Sequence, residues 1–239
     1  CINMVLDIWA GEAPYNLKGE FWEVSTERTM MREIGQGDII KPYQYPHPPI
    51  VGTAVAPFSK GVTAMAERGW QPISANFLLP KWVATHWPKY VEGCENVGIA
   101  PDYGDWRVAK NICVAKDMET ARAYARDPGS PYVYYYSQLL TKLKAGGRSN
   151  LFKEDQNMPD EDVTLDYVLD KLVIYGDPSS VADQVLELRE ETGPFKHLVY
   201  AGHDWTDYEL GRDSMILMGE KVMPILAEAT KSEPITAAA

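Results

Sequence analysis

Apolar residues fall along the chain in two alternating kinds of run. Short, nearly continuous blocks at residues 50–55 (Ile-Val-Gly-Thr-Ala-Val), 72–79, 106–115 and 196–201 have the form of buried strands. Helical spacing follows each of them. Residues 59–68 place Val62, Met65 and Ala66 on one face and stop at Gly69, residues 87–97 close at Gly98, and residues 118–126 and 208–223 complete the set. Four strand-then-helix units in order predict an α/β fold with a parallel sheet. With no glycine-rich nucleotide fingerprint, a (β/α) barrel or a piece of one is the favoured architecture. One more helix is announced by Asp177-Pro178-Ser179. The carboxylate can cap free N–H groups, and proline, lacking an N–H, suits the first helical position. Val181, Val185 and Leu188 mark the buried face of this helix, and Gly193-Pro194 ends it.

Two segments break the rhythm. Residues 1–10 carry Val5, Ile8 and Trp9 at helical spacing up to Gly11, and a helix in full stride at the first residue is expected of a chain cut from a longer one, the alternative being a processed mature terminus. Residues 11–48, punctuated by Pro14, Gly19, Gly35, Gly37, Pro42, Pro46 and Pro48, read as a long irregular connection. Residues 127–165 hold Tyr132-Val133-Tyr134-Tyr135-Tyr136, then Gly146-Gly147 and an acidic stretch at 159–162. They read as a short aromatic helix followed by a mobile loop, either a surface insertion or a lid over an active site. Residues 1–239 are expected to form one domain.

Composition narrows the function classes. The 239 residues are 45% apolar and 24% charged, which excludes a disordered, collagen-like or coiled-coil chain. No apolar run reaches the ~20 residues of a membrane span. A net charge of −11 repels phosphate backbones and argues against nucleic-acid partners. Cys1, Cys94 and Cys113 are an odd number without metal-ligand spacing and are expected as free thiols in a reducing compartment such as the cytoplasm. The four histidines form no metal-ligand pattern, and no Gly-x-Ser-x-Gly elbow supports a hydrolase. Trp22, Trp70, Trp82 and Trp87 are expected as core or pocket walls.

Candidate chemistry gathers where predicted strands end. The turn Ala56-Pro57-Phe58-Ser59-Lys60-Gly61 lies between a strand and a helix start, where free N–H groups make an anion site. Ser59 is either an ordinary N-cap or an added hydroxyl donor, and Gly61 permits close backbone approach. Asn76 ends the second strand and either faces a cofactor or caps the turn. His203, Asp204 and Trp205 follow the last strand; the imidazole is a general acid or base, or else a satisfied loop residue. His47, among prolines, reads as structural, while His86 and His197 have no recognisable partners.

Several stretches together resemble the bacterial luciferase-like family of flavin-dependent monooxygenases. They are Gly176-Asp177-Pro178-Ser179-Ser180-Val181 with its helix to Gly193, then His197-Leu198-Val199-Tyr200, and Pro48-Pro49-Ile50-Val51 leading to Ala66-Glu67-Arg68-Gly69. Gly202-His203-Asp204-Trp205 and Met223-Pro224 look closest to the limonene-monooxygenase-like branch. The resemblance covers residues 1–228. It implies a (β/α)8 TIM barrel that holds reduced FMN at the C-terminal ends of its strands and uses dioxygen to oxygenate an apolar small molecule. A separate flavin reductase would supply the reduced FMN, and the full-length protein could form a homodimer. Hydride transfer with a deazaflavin on the same fold, and a non-catalytic flavin-binding or structural relative or an inactive fragment, are the alternatives. On this mapping residues 50–55 are strand five and residues 196–201 strand eight, so the chain is the C-terminal half of a barrel, with an open edge and apolar surface that a complementing chain would cover. The family places flavin-phosphate contacts at the turn, which makes Ala56, Pro57, Phe58 and Ser59 cofactor candidates. Asn76 joins them toward the isoalloxazine edge, His203 is the catalytic candidate, and the tyrosines at 132–136 could line an apolar substrate pocket or form an interface.

Overall fold

Residues 1–231 are described by the computed structural model, which divides after Ile50 into two compact units. In the first, helix α1 (Ile2–Ala10) buries Ile8 in a small cluster with Ala13 and Tyr15. The expected irregular connection contains a hairpin, strands β1 (Asn16–Lys18) and β2 (Glu23–Ser25), paired antiparallel with Asn16 opposite Ser25. Three residues per strand are too few for a period-2 pattern to declare itself. The Lys41 ammonium donates to the carbonyls of Ile8 and Gly11 and, at 2.8 Å, to the Tyr15 hydroxyl, which ties the prolines of this segment to α1. Trp22, expected in a core or a pocket wall, is 63% exposed beside the hairpin.

The second unit runs β3 (Val51–Ala54), α2 (Lys60–Ala66), β4 (Gln71–Ser74), α3 (Pro80–Val83), α4 (His86–Asn96), β5 (Arg107–Val114), α5 (Met118–Arg126), α6 (Pro131–Ala145), α7 (Leu165–Leu172), β6 (Val173–Gly176), α8 (Pro178–Thr192), β7 (His197–Tyr200), α9 (Tyr208–Leu217) and α10 (Met223–Ala229). Its sheet is parallel throughout, as the strand-then-helix pattern predicts. β3 pairs with β4, and β4 with β5. β5 is shared among three neighbours. Its first half meets β4 at Arg107 and Val108 and lies against β7 from Arg107 opposite His197 to Lys110 opposite Tyr200. Its second half pairs with β6 from Asn111 opposite Val173 to Val114 opposite Gly176. Since Arg107 and Val108 serve β4 and β7 at once, those two strands flank β5 on opposite edges.

The structure corrects the expected element list in four places. Among the described residues the sheet has five strands, not four. The extra one, β6, begins directly after Leu172 of α7, so no turn residue separates its short apolar run from the helix before it. The second strand ends at Ser74 rather than continuing to residue 79, because Pro80 starts a helix. The aromatic helix α6 is long, 15 residues, and buries Tyr132, Tyr136 and Leu140 at i, i+4, i+8. The rest of residues 127–165 is largely exposed but anchored to the core at a few points, with Leu151, Phe152 and Val163 buried and the Trp82 indole donating to the Leu151 carbonyl at 3.0 Å. The Asp177 cap forms as expected: one carboxylate oxygen accepts the N–H groups of Ser179 and Ser180 at 3.0 and 3.1 Å, and the Ser179 hydroxyl, with the Ser180 N–H and hydroxyl, holds its pKa down at about 2. The last helix continues past residue 223 to Ala229 through a widened π-turn at Met218–Val222, where Pro224 lacks an N–H and its ring crowds the preceding turn. α2 and α4 cross closely at Gly93, where a Cβ would lie 2.6 Å from that of Ala66.

Every residue of β5 after Arg107 is buried, because the strand lies between two cores. Val108, Ile112 and Val114 pack with α8 and α10 residues, and Cys113 packs with the α5–α7 residues. Each face carries one polar side chain, Lys110 on the first and Asn111 on the second. Lys110 is 2% exposed and donates to the Leu78 carbonyl at 2.8 Å. Burial pushes its ammonium down from 10.5 to about 8, against the opposing charge of Glu191. Between those values the unfolded chain binds more protons than the folded one, so this group makes stability rise with pH from about 8 toward 10.5. Lys110→Met should therefore stabilise the protein at pH 7, by up to ~3 kcal/mol, and the advantage should shrink as pH rises above 8. Urea unfolding of both proteins at several pH values checks this; a difference that stays constant with pH would reject it.

Candidate functional site

Beyond the C-terminal end of β3, the turn at residues 56–59 is held from below by a directed chain of hydrogen bonds. The Trp106 indole, which can only donate, gives its proton to Ser74 Oγ at 3.0 Å. Ser74 Oγ then donates to His86 Nδ1 at 2.8 Å, and His86 Nε2 donates to the Ala56 carbonyl at 2.9 Å. The Ala56 carbonyl can only accept, so Nε2 carries a proton, and in the neutral ring that burial favours Ser74 is the donor to Nδ1. Burial lowers its pKa, and the Ala56 bond opposes that shift. From the side, the Phe58 N–H donates to Thr85 Oγ1 at 2.9 Å, and Thr85 Oγ1 donates to the Trp82 carbonyl at 2.6 Å. Phe58 takes a left-handed φ of 52°, uncommon for a bulky residue, and its ring is 63% exposed, edge-on to Trp82.

This anchoring sorts the predicted turn residues. The Phe58 amide is committed to Thr85, and Pro57 has no N–H. Ser59 occupies the N-cap position of α2, yet its hydroxyl makes no capping bond. Among the described residues, the N–H groups of Ser59, Lys60 and Gly61 and the Ser59 hydroxyl have no hydrogen-bond partner. They form an open set of donors at the end of the sheet.

A second network joins Asn76 and His203 through a residue the sequence did not single out. Asn111 uses its whole amide: Nδ2 donates to the Ala201 carbonyl at 2.9 Å and lies 2.8 Å from His203 Nε2, while Oδ1 accepts Asn76 Nδ2 at 2.7 Å and the Tyr136 hydroxyl at 2.8 Å. Asn76 Oδ1 accepts the Tyr135 hydroxyl at 3.3 Å. Asn76 is thus a member of a side-chain network, not merely a turn cap. The His203 ring lies 4.8 Å from Tyr135 and 5.9 Å from Tyr132, centroid to centroid. Trp205 stacks on Tyr124 at 5.3 Å. Burial raises the pKa values of Tyr132, Tyr135 and Tyr136, so all three stay protonated donors. Burial also lowers that of His203, with the Asp204 charge pulling the other way.

Asn111, His86, Tyr135 and Tyr136 are the residues that sequence reading missed as individuals. The partners of Asn111 lie 25 to 92 positions away. The only local signal for it was the polar pair Lys110-Asn111 in the middle of an apolar strand run.

Comparison with known proteins places this arrangement in a family. The model of the Luciferase-like monooxygenase family matches residues 1–194, and the chain belongs to that family. Among curated relatives, 3,6-diketocamphane 1,6-monooxygenase of Pseudomonas putida is 24% identical over 206 residues, covering 84% of this chain and 53% of its own length. Limonene 1,2-monooxygenase of Rhodococcus erythropolis is 27% identical over 143 residues, 59% of this chain and 34% of its own. The chain thus spans about half or less of these relatives. Among solved structures, the oxygenating constituent of 3,6-diketocamphane monooxygenase of Pseudomonas putida, a type II Baeyer-Villiger monooxygenase in complex with FMN, superposes with a TM-score of 0.76 at 21% identity, over 94% of this chain and 61% of that one. The parallel α/β fold is therefore that of the luciferase-like barrel proteins.

The His86 chain has a checkable cost. His86→Leu leaves Ser74 and the Ala56 carbonyl without their partner and should lower stability by ~2–4 kcal/mol, with faster amide exchange confined first to residues 56–59. Because the folded pKa of His86 is lowered, the wild type should lose stability as pH falls below about 6.5. The variant should lose less, as read by chemical unfolding between pH 5 and 7.5. Unchanged exchange at the turn would count against its being held by His86.

Proposed function

We propose that this chain serves a flavin-dependent monooxygenase that uses reduced FMN and dioxygen to oxygenate an apolar small molecule. In this reading β3, β4, β5 and β7 stand as strands five to eight of a (β/α)8 barrel, which accords with the share of its relatives that the chain spans. The observation that carries the proposal is the turn. Unpartnered N–H groups of Ser59, Lys60 and Gly61 and the free Ser59 hydroxyl, on a loop pinned by His86 and Thr85, suit the terminal phosphate of FMN. A side chain at Gly61 would press on Ser59 Oγ, 3.2 Å away, so glycine keeps that hydroxyl accessible.

When bound, reduced flavin supplies the electrons that activate dioxygen. The chain's own residues would hold and shield it. Ser59 and the turn amides bind the phosphate, with Ala56, Pro57 and Phe58 shaping the loop. Asn76 and His203, fixed through Asn111, face the cofactor side with atoms whose positions are set before binding. Tyr132, Tyr135 and Trp205 provide an apolar wall that keeps water from the reacting centre. His203 holds or delivers a proton. A separate flavin reductase supplies the reduced cofactor, a homodimer is the proposed assembly, and a reducing compartment such as the cytoplasm suits the three unpaired cysteines.

Anaerobic titration with reduced FMN, followed by oxygen uptake in the presence of apolar ketones and terpenes, tests the proposal. Ser59→Asp places a carboxylate against the phosphate and should weaken FMN binding at least tenfold, about 1.4 kcal/mol, with little change in Tm. Binding of a deazaflavin in place of FMN, or neither flavin binding nor oxygen uptake, would overturn it.

A further inference from the structure

His203 has one ring nitrogen engaged and one free. Its Nε2 lies 2.8 Å from Asn111 Nδ2, and among the described residues Nδ1 has no hydrogen-bond partner. Which nitrogen carries the proton follows from the amide. The Ala201 carbonyl can only accept, so the Asn111 atom 2.9 Å from it is the NH2 group. The Tyr136 hydroxyl and Asn76 Nδ2 both donate to the other end of the amide, at 2.8 and 2.7 Å. Turning the amide over would set oxygen against the Ala201 carbonyl and NH2 against NH2 at Asn76. The same NH2 that serves Ala201 therefore faces His203 and donates to it, and Nε2 must be bare.

We infer that Asn111 is a positioning residue that fixes His203 as a neutral imidazole with its proton on Nδ1, so that His203 meets its ligand as a hydrogen-bond donor and not as a base. The inference deepens the proposed site and rests on that reading only for what the ligand is. Adding a second proton would set an Nε2–H against the Asn111 NH2 and break that bond. Around the ring stand the neutral side chains of Tyr132, Tyr135 and Asn111, and among the described residues the charge acting on it is that of Asp204. The Tyr135 hydroxyl is turned to Asn76, so it does not compete for the imidazole. A donor with a bare, pinned opposite nitrogen is suited to an oxygen that gains negative charge, such as that of a polarised carbonyl or a departing oxyanion.

Imidazole 15N spectra of the ligand-free protein test the inference without any cofactor, with His203→Gln identifying the resonances. The wild type should show the proton on Nδ1 and a titration midpoint below 6.5. Asn111→Asp offers a carboxylate that can only accept. It should move the proton to Nε2 and raise the midpoint by at least ~1 unit, while Tyr136→Phe should leave the tautomer unchanged. A wild-type proton on Nε2, a midpoint at or above 6.5, or an unmoved tautomer in Asn111→Asp would overturn the inference. If Asn111→Asp does not fold, the wild-type tautomer and midpoint decide by themselves. Failure to bind flavin would refute the proposed function and leave these spectra to stand or fall separately.

Discussion

A carboxamide in the middle of a buried strand has to be satisfied completely, and Asn111 is. Its hydrogen bonds reach the loop after β4, helix α6, and the backbone and side chain that follow β7. A buried donor or acceptor left unmade costs ~1–3 kcal/mol, which is more than a typical net hydrogen bond contributes. The three neighbouring elements are thus held in one arrangement chiefly by what any other arrangement would leave unpaired. Local shape at the sheet's end is a consequence of that constraint.

The turn after β3 obeys the same logic with different parts. An indole, a hydroxyl and an imidazole pass one direction of donation from β5 through β4 and α4 to the Ala56 carbonyl. Around this line the ring of Trp87 stacks on Tyr103 at 3.9 Å and lies near Trp106 at 5.7 Å, so the polar line is sheathed in aromatic surface. In a dry setting such a chain is stiff, and stiffness is what a loop needs if its free amides are to meet an anion without reorganising. Thr85 completes the hold by taking the one interior amide of the turn.

The class of fold was legible because its signals are local. Helix caps, glycine stops and apolar blocks declared the parallel α/β order, and Asp177 did so down to the atoms it binds. What escaped had no local signature. β6 is four residues welded to the end of α7, and β1 and β2 are shorter still. The long α6 was underread because its tyrosines look alike in sequence, although Tyr132 and Tyr136 are buried and Tyr134 is 70% exposed. At the candidate site, the turn, Asn76 and His203 stand out in the sequence by their places just past predicted strand ends. Asn111 and His86 were not, since each derives its meaning from partners that only folding brings near. Phe58 shows the limit from the other side: its position was foreseen, but the loss of its amide to Thr85 was not.

Successive side chains of β5 point to opposite cores, which sets Lys110 and Asn111 back to back. Deleting or inserting a single residue upstream within this strand would exchange them, driving an ammonium in among Asn76, Tyr136 and His203 and a carboxamide in among the α8 aliphatics. Drift in chain length among descendants of this sequence should consequently be confined to the connections around β5, and the strand itself should behave as a ruler against which everything else is measured.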